Sequence, residues 1–154
     1  MNVYRIALNE YCDLSGEGAK RYGGRWNHVG IPAIYAGESI SVSLLERLTI
    51  DSELFTSERY KLYSVMEIHL PEKLIYHVNR KDLPENWHQI PAPKSTKDLG
   101  SLLLNSPKLC FSTPSILDPS SLNFVINPLS KDFHLIESKT YPLSLAQGYY
   151  VFED

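Results

Sequence analysis

Cysteine is scarce in this sequence, with two residues, Cys12 and Cys110, in a chain of 154. They lie far apart and belong to no CxxC motif or Cys/His cluster, so the sequence predicts neither a disulfide framework nor a zinc site. We expect both to be free thiols, as is usual in a reducing compartment. The histidines also lack the H-E-x-x-H spacing of metalloproteases, and we expect no metal site.

Long apolar runs and an excess of positive charge are also missing. No segment approaches the roughly 20 apolar residues of a membrane span, and the N-terminus lacks a secretory leader pattern, so we expect a cytoplasmic protein with no membrane partner. The formal net charge of −3 disfavours direct nucleic-acid binding, which relies on a basic surface. The sequence contains no G-x-S-x-G elbow, Rossmann fingerprint or Walker A lysine, which disfavours the enzyme classes that use them.

The chain does have enough apolar sequence for one core, because 43% of its residues are hydrophobic. A domain of this length can bury roughly two-thirds of the surface that its unfolded chain exposes. No repeat, linker or low-complexity segment divides the sequence. We therefore assign residues 1–154 to a single domain.

Hydrophobic periodicity predicts more strands than helices. The predicted strands are 3–8, 33–36, 60–70, 74–78 as a neighbour of 60–70, 108–112, 122–126, 133–137 and 148–152. Helices are predicted at 40–48, with Ser39 as N-cap, and at 98–105, with Ser95 or Thr96 as cap. Residues 9–24 and 81–97 are predicted as irregular connections, the second anchored by Trp87. This mixed order predicts an α+β domain with a curved mixed or antiparallel β core and short helices.

The most informative segment is Gly23-Gly24-Arg25-Trp26-Asn27. Two glycines allow the backbone to turn and to approach a ligand closely, and they precede an arginine, whose planar guanidinium binds phosphate or carboxylate through two parallel hydrogen bonds. The alternative interpretation is a surface arginine stacked on Trp26 without function. The segment is therefore a candidate anion site.

Four further residues are candidates, namely Arg5, Tyr35, Glu46 and Ser115, and each has a structural alternative. Tyr35 at a strand end is often a core residue, and Ser115 after a proline is an ordinary turn serine by default. Ser43-Leu44-Leu45-Glu46 matches the S-x-x-E capping box, in which the glutamate bonds to a free backbone amide. A helix that begins near Ser39 instead places Glu46 in its interior, where no amide needs a cap.

Ordered sequence blocks from residue 3 to about residue 133 resemble the RES domain family, the toxins of bacterial RES–Xre toxin–antitoxin pairs. Each block alone is weakly specific, whereas the ordered set is strongly specific. The blocks are Tyr4-Arg5-Ile6, Gly16-Glu17-Gly18-Ala19, Gly23-Gly24-Arg25-Trp26-Asn27, Gly30-Ile31-Pro32, Ile34-Tyr35-Ala36, Leu44-Leu45-Glu46, Pro114-Ser115 and Asn123-Phe124-Val125-Ile126-Asn127-Pro128. The chain departs from the family after Pro128, where it reads Leu129-Ser130-Lys131 in place of x-His-Pro, and at its last residues.

The resemblance implies a fold similar to the NAD-binding core of ADP-ribosyltransferases such as diphtheria toxin. It implies an enzyme that destroys cellular NAD, which is then the substrate and not a cofactor. The arginine, glutamate and serine that name the family match Arg25, Glu46 and Ser115, and Arg5 and Tyr35 match further pocket residues. The implied partners are an Xre-type DNA-binding antitoxin that blocks the active site and a second copy of the chain in a homodimer.

These residue types suit the cleavage of NAD, because its nicotinamide departs neutral and needs no proton. One carboxylate can then suffice, unlike the pair that ordinary glycosides require. We expect Glu46 to stabilise the positive charge that develops on the ribose, and Arg25 and Arg5 to hold the phosphates. We expect Tyr35 to pack against the nicotinamide, and Ser115 to donate to the ribose or to orient Glu46.

The acceptor of the ADP-ribosyl group stays open at this point. Water would give hydrolysis, inorganic phosphate would give phosphorolysis, and a protein side chain would give ADP-ribosylation. A non-enzymatic interaction module is the alternative of a different class. An mRNA-cleaving toxin is disfavoured by the net acidity and by the lack of a basic site that contains histidine.

Overall fold

The computed structural model describes residues 1–56 and 58–145, in which seven strands form one mixed sheet. The strands are β1 (Asn2–Leu8), β2 (Ile34–Gly37), β3 (Tyr63–His69), β4 (Ile75–His77), β5 (Cys110–Pro114), β6 (Leu122–Ile126) and β7 (Glu137–Pro142). The helices are α1 (Glu17–Tyr22), α2 (Ile40–Leu48) and α3 (Lys94–Leu104). The sheet order is β4-β5-β6-β2-β1-β3-β7, and only β4 and β5 are parallel. The predicted α+β class is confirmed.

Alternation along the strands divides the core between the two faces of the sheet. On β6, Phe124 and Ile126 join a buried cluster on one face, whereas Val125 packs with Trp26 and Phe111 on the other. On β3, Met66 and Ile68 belong to the first cluster, whereas Tyr63 and Val65 pack with Ile6 and Leu54 on the opposite face. Both faces of the sheet are therefore covered, and a binding site needs an opening in this packing.

Strands β1 and β2 are joined at a single register position. Tyr4 lies opposite Gly37, and no further pair follows along these strands. By contrast, β1 pairs with β3 along its whole length, from Asn2 opposite His69 to Leu8 opposite Tyr63. Strands β1 and β2 therefore diverge beyond Tyr4, and the gap between them is the opening on which the site is built.

The helix predicted at 40–48 and the strand predicted at 122–126 have the predicted bounds. Ser39 caps α2 as expected, because its Oγ accepts a hydrogen bond from the backbone N–H of Val42 at 3.1 Å. Trp87 anchors its loop by packing against the cluster around Trp26 and Phe111. Cys12 and Cys110 are free thiols, as predicted.

Two predicted loops are wrong in part, because each contains helical residues. Helix α1 lies within the predicted connection 9–24, where two glycines weaken the helical pattern. Helix α3 begins at Lys94, four residues before the predicted start. Its N-cap is Pro93, so the three prolines of the predicted loop all precede the helix and remove none of its internal hydrogen bonds.

Strand predictions are wrong where edge strands are concerned. Strand β4 lies at the opposite side of the sheet from β3, parallel to β5, and is not the predicted neighbour of β3. The predicted strand 133–137 is wrong, because Phe133–Leu135 is a short 3-10 turn and β7 begins at Glu137. Every residue of β7 is exposed, so this edge strand lacks the apolar alternation that predicts strands. The predicted strand 148–152 lies outside the described residues.

Helix α3 is tightly joined to the segment that follows α1. Gly100 lies so close to the Trp26 carbonyl that a Cβ added at Gly100 would be 1.9 Å from the carbonyl oxygen. The backbone N–H of His28 donates to Ser101 Oγ at 3.0 Å, and the His28 ring is 2.6 Å from the carboxylate of Asp98. These contacts fix the position of residues 23–28. With 11 residues, α3 is also the longest described helix, and none in the described ranges is long and apolar enough to cross a membrane.

Candidate active site

A cavity of about 620 Å³ opens where β1 and β2 diverge. This volume is within the range of roughly 300–1,000 Å³ that is typical of small-molecule and cofactor sites. Its walls include Arg5 of β1, Tyr35 of β2, Glu46 of α2, and Arg25 from the loop after α1. The structure therefore brings four of the five predicted site residues to one cavity.

Glu46 is held through one of its two carboxylate oxygens. Ser115 Oγ donates to Glu46 Oε1 at 2.6 Å, and Asn123 Nδ2 donates to the same atom at 2.7 Å. In residues 1–56 and 58–145, no protein donor contacts Oε2, so this oxygen is available to a ligand in the cavity. The capping-box interpretation of Glu46 is wrong, because α2 begins at Ile40 and Glu46 lies in its last turns.

Ser115 lies behind Glu46 and is fully buried, so it does not line the cavity. Its Oγ also accepts hydrogen bonds from the backbone N–H groups of Leu117 at 3.1 Å and Asp118 at 3.2 Å. Of the two roles predicted for Ser115, this geometry favours the orientation of Glu46 over donation to a ribose.

Asn123 was missed by the sequence reasoning as a site residue. It is the second residue of β6, directly before the buried residues of that strand, and it contacts Glu46 and lines the cavity. A polar residue at the start of a buried strand was the available signal, but the partner lies 77 positions away in the sequence. Only the sheet order, with β6 beside β2, brings the two together.

Tyr35 braces the loop that carries Arg25. Its hydroxyl donates to Asn27 Oδ1 at 2.7 Å and accepts from the backbone N–H of Trp26 at 2.9 Å. Burial raises the pKa of the Tyr35 phenol well above its usual value, so the group remains protonated as this donor. A Cβ at Gly24 would lie 2.7 Å from the Tyr35 hydroxyl, so glycine is needed here for the close approach to Tyr35.

Arg25 is directed at the loop before α3. Its Nη1 donates to the carbonyl oxygens of Trp87 at 3.0 Å and Gln89 at 2.7 Å. The alternative of a surface arginine stacked on Trp26 is wrong, because Trp26 is buried and packs edge-to-face with Phe111. Partial burial lowers the pKa of the Arg25 guanidinium, and the charge of nearby Glu46 opposes that shift. The negative charge of Glu46 therefore acts on Arg25, and both residues line the cavity.

Among the described residues of the cavity wall, the remaining charged one is Arg47, which follows Glu46 in α2. The described lining thus contains three arginines and one glutamate, although the chain as a whole carries a net charge of −3. Metal ligands are not clustered here, since no group of three or more His, Cys, Asp or Glu residues meets in the described ranges. The charges instead suit a small anionic ligand that also has one cationic or electron-poor centre.

Two curated toxins are similar to this chain over most of its length. Toxin Res of Yersinia enterocolitica serotype O:8 / biotype 1B is 37% identical over 149 residues, which cover 95% of this chain and 96% of that protein. The Prs ADP-ribosylating toxin of Sphingobium sp. (strain YBL2) is 32% identical over 147 residues, covering 90% and 89%.

A solved structure shares the fold. In the crystal structure of the M. tuberculosis MbcT–MbcA toxin–antitoxin complex, a chain superposes with a TM-score of 0.71 at 18% identity, covering 93% of this chain and 84% of that one. The RES domain family matches residues 2–146. Since this match spans nearly the whole sequence, the chain belongs to the RES domain family.

Proposed function

We propose that this chain is the toxin of a toxin–antitoxin pair and that it degrades NAD by cleaving the bond between nicotinamide and ribose. The observation that carries the proposal is Glu46, which is the single carboxylate among the described residues that line the cavity, where the other charged residues are arginines. NAD has the matching charges, with two phosphates and one positively charged nicotinamide ring. The names of the relatives, which are toxins, support the growth-arresting role.

In the proposed reaction, Glu46 stabilises the ribose as positive charge develops on it. The nicotinamide leaves with the bonding electrons and becomes neutral, so no acid is needed to protonate it. A fixed carboxylate stabilises such a charge strongly, because it needs no reorganisation during the reaction. Glu46 Oε1 is fixed by Ser115 and Asn123, so Oε2 would face the ribose.

Arg25 and Tyr35 would bind and orient the dinucleotide. The Tyr35 ring lines the cavity and would pack against the nicotinamide, while its hydroxyl keeps the Arg25 loop in place. Arg25, close to Glu46, would hold a phosphate so that the scissile bond meets the carboxylate. Water or inorganic phosphate would then accept the ADP-ribosyl group.

ADP-ribosylation of a cellular protein is the second candidate. The name of the Sphingobium relative, an ADP-ribosylating toxin, favours it. Both reactions begin with the same bond cleavage and differ in whether a small acceptor or a protein side chain completes them. The arrangement of Glu46 and Arg25 serves either one.

A cognate antitoxin is the proposed protein partner. The solved structure with a similar fold comes from a toxin–antitoxin complex, which supports a partner of that kind for this chain. The Xre type of the antitoxin and the homodimer stay predictions from the family resemblance.

Purified protein incubated with NAD is expected to release nicotinamide, which chromatography would detect directly. Induced expression should also lower cellular NAD before growth stops. ADP-ribose or its 1-phosphate among the products would identify water or phosphate as acceptor, whereas label transferred to protein from radioactive NAD would identify ADP-ribosylation. Unchanged NAD in both the purified and the cellular experiment would contradict the proposal and favour an interaction module.

Asn123→Ala is expected to lower kcat by about ten- to hundredfold, because a hydrogen bond to a charged group contributes about 1.5–3 kcal/mol and here it orients Glu46. KM should change little, since Asn123 would act through Glu46. Ser115→Ala should lower kcat similarly and should also lower the melting temperature, because Ser115 Oγ holds the turn at Leu117 and Asp118. Steady-state kinetics and thermal unfolding of both variants test this difference, and an unchanged kcat in Asn123→Ala would contradict it.

A further inference from the structure

Arg47 has no role in the function proposed above, although it lines the same cavity as Glu46. Its guanidinium lies over the ring of Tyr63, with Cζ 5.2 Å from the ring centroid. Asp51, the first acidic residue after α2, is already engaged by the Tyr63 hydroxyl at 2.6 Å and by Arg59 Nε at 2.8 Å. Within the described ranges, Arg47 forms no ion pair with a carboxylate.

Arg5 is in the same situation on the facing strand. It donates one hydrogen bond, from Nη2 to the carbonyl oxygen of Tyr11 at 3.1 Å, and it also forms no ion pair within the described ranges. The Nε atoms of Arg5 and Arg47 are both buried without a hydrogen-bond partner. Buried charged groups without a partner of opposite charge are costly, and both arginines line the cavity, so an anion in the cavity would compensate their charges.

The two guanidinium groups also act on each other. Burial lowers the pKa of Arg5, and the positive charge of Arg47 lowers it further. Like charges that share a cavity destabilise the empty protein, and an anion bound between them removes that cost. Arg25 differs, because its electrostatic partner in the cavity is Glu46.

We propose that Arg5 and Arg47 form a phosphate subsite in the cavity that also contains Glu46. Resting on the proposed function, the inference assigns this subsite to the pyrophosphate of NAD. Planar guanidinium groups bind phosphate oxygens through paired, charge-assisted hydrogen bonds. Arg47 then joins Arg5 and Arg25 in holding the phosphates.

The test compares ADP with adenosine by calorimetric titration, because the two ligands differ only in their phosphates. Arg47→Gln is expected to weaken ADP binding about tenfold or more, in line with the energy of a hydrogen bond to a charged group, and to leave adenosine binding unchanged. Arg59→Gln is the matched control, since Arg59 is a nearby arginine that pairs with Asp51 and does not line the cavity. Its ADP affinity should equal that of the wild type.

Equal losses for ADP and adenosine in Arg47→Gln would show that Arg47 only packs on Tyr63, and no loss for either ligand would likewise overturn the subsite. If Arg47→Gln does not fold, Arg47→Lys replaces it, because lysine keeps the charge over Tyr63 but lacks the planar fork; it should weaken ADP severalfold. Inorganic phosphate should compete with ADP. If inorganic phosphate and ADP bind at the same time, the ADP phosphates do not occupy the site that takes free phosphate, and the assignment to the pyrophosphate is wrong.

ADP contains no nicotinamide, so this experiment is independent of cleavage. A wild-type protein that binds ADP through Arg47 but releases no nicotinamide from NAD would refute the proposed function and leave the subsite intact. A protein that cleaves NAD while Arg47→Gln binds ADP normally would refute the subsite alone.

Discussion

Glu46→Gln is expected to lower the rate of nicotinamide release from NAD by about a hundredfold or more, the usual cost of removing one fixed electrostatic group from an active site. KM should change little, because the interaction is needed mainly as charge develops in the transition state. Steady-state kinetics of the purified variant would measure both quantities.

The structure makes this substitution a clean test of charge. Both protein donors contact Glu46 Oε1, one from Ser115 and one from Asn123. A glutamine carbonyl oxygen can accept both hydrogen bonds, so its amide nitrogen would replace Oε2 with almost no change of shape. The fold should therefore be preserved, and thermal unfolding would verify this.

Glu72→Gln is a suitable control, because Glu72 is exposed and does not line the cavity. It should turn over NAD at the wild-type rate. A Glu46→Gln protein with wild-type activity would mean that the negative charge is not used, and Glu46 would then be a structural residue of α2.

Gly100→Ala is expected to destabilise the fold by about 3 kcal/mol, the upper part of the usual range for overpacking. The added Cβ would meet the carbonyl oxygen of Trp26 at 1.9 Å and its carbonyl carbon at 2.6 Å. These are backbone atoms, which cannot rotate away as a side chain can. For a chain of this length such a loss corresponds to roughly 6–12 °C in melting temperature.

The same substitution should reduce activity, because the displaced backbone continues into Arg25. Thermal unfolding followed by circular dichroism would measure stability, and NAD turnover would be assayed below the transition. Gly18→Ala in α1 is the control for stability: its Cβ would meet nothing within 4 Å, and alanine is favoured over glycine in helices by about 1 kcal/mol. A Gly100→Ala protein that melts at the wild-type temperature would show that α3 can move away from Trp26 without cost.

Local chemistry made parts of the fold predictable from the sequence. Ser39 marks the start of α2 because a serine before an apolar helical pattern satisfies a free backbone amide, and the structure shows that hydrogen bond. The position of β4 was not predictable in this way. Pairing of β4 with β5 depends on the path of the chain through residues 81–109, and no local pattern encodes that path.

The sequence predicted several residues of the candidate site but not how they are arranged. The resemblance to the RES family identified Arg5, Arg25, Tyr35 and Glu46, and all four line one cavity. Arg47 was overlooked because consecutive residues on a helix point about 100° apart, so the neighbour of a site residue is not expected to share its site. Here the cavity is wide enough to include both.

The single register pair between β1 and β2 has a mechanical consequence. Within the described residues, the sheet consists of two well-paired halves, β4-β5-β6-β2 and β1-β3-β7, whose one strand-to-strand register pair is Tyr4 opposite Gly37. A dinucleotide that contacts Arg5 on one half and Tyr35 on the other would connect β1 and β2. It would supply contacts between the halves where the hydrogen-bond ladder is interrupted. A bound substrate would therefore stabilise the folded protein and hold the two halves of the sheet together.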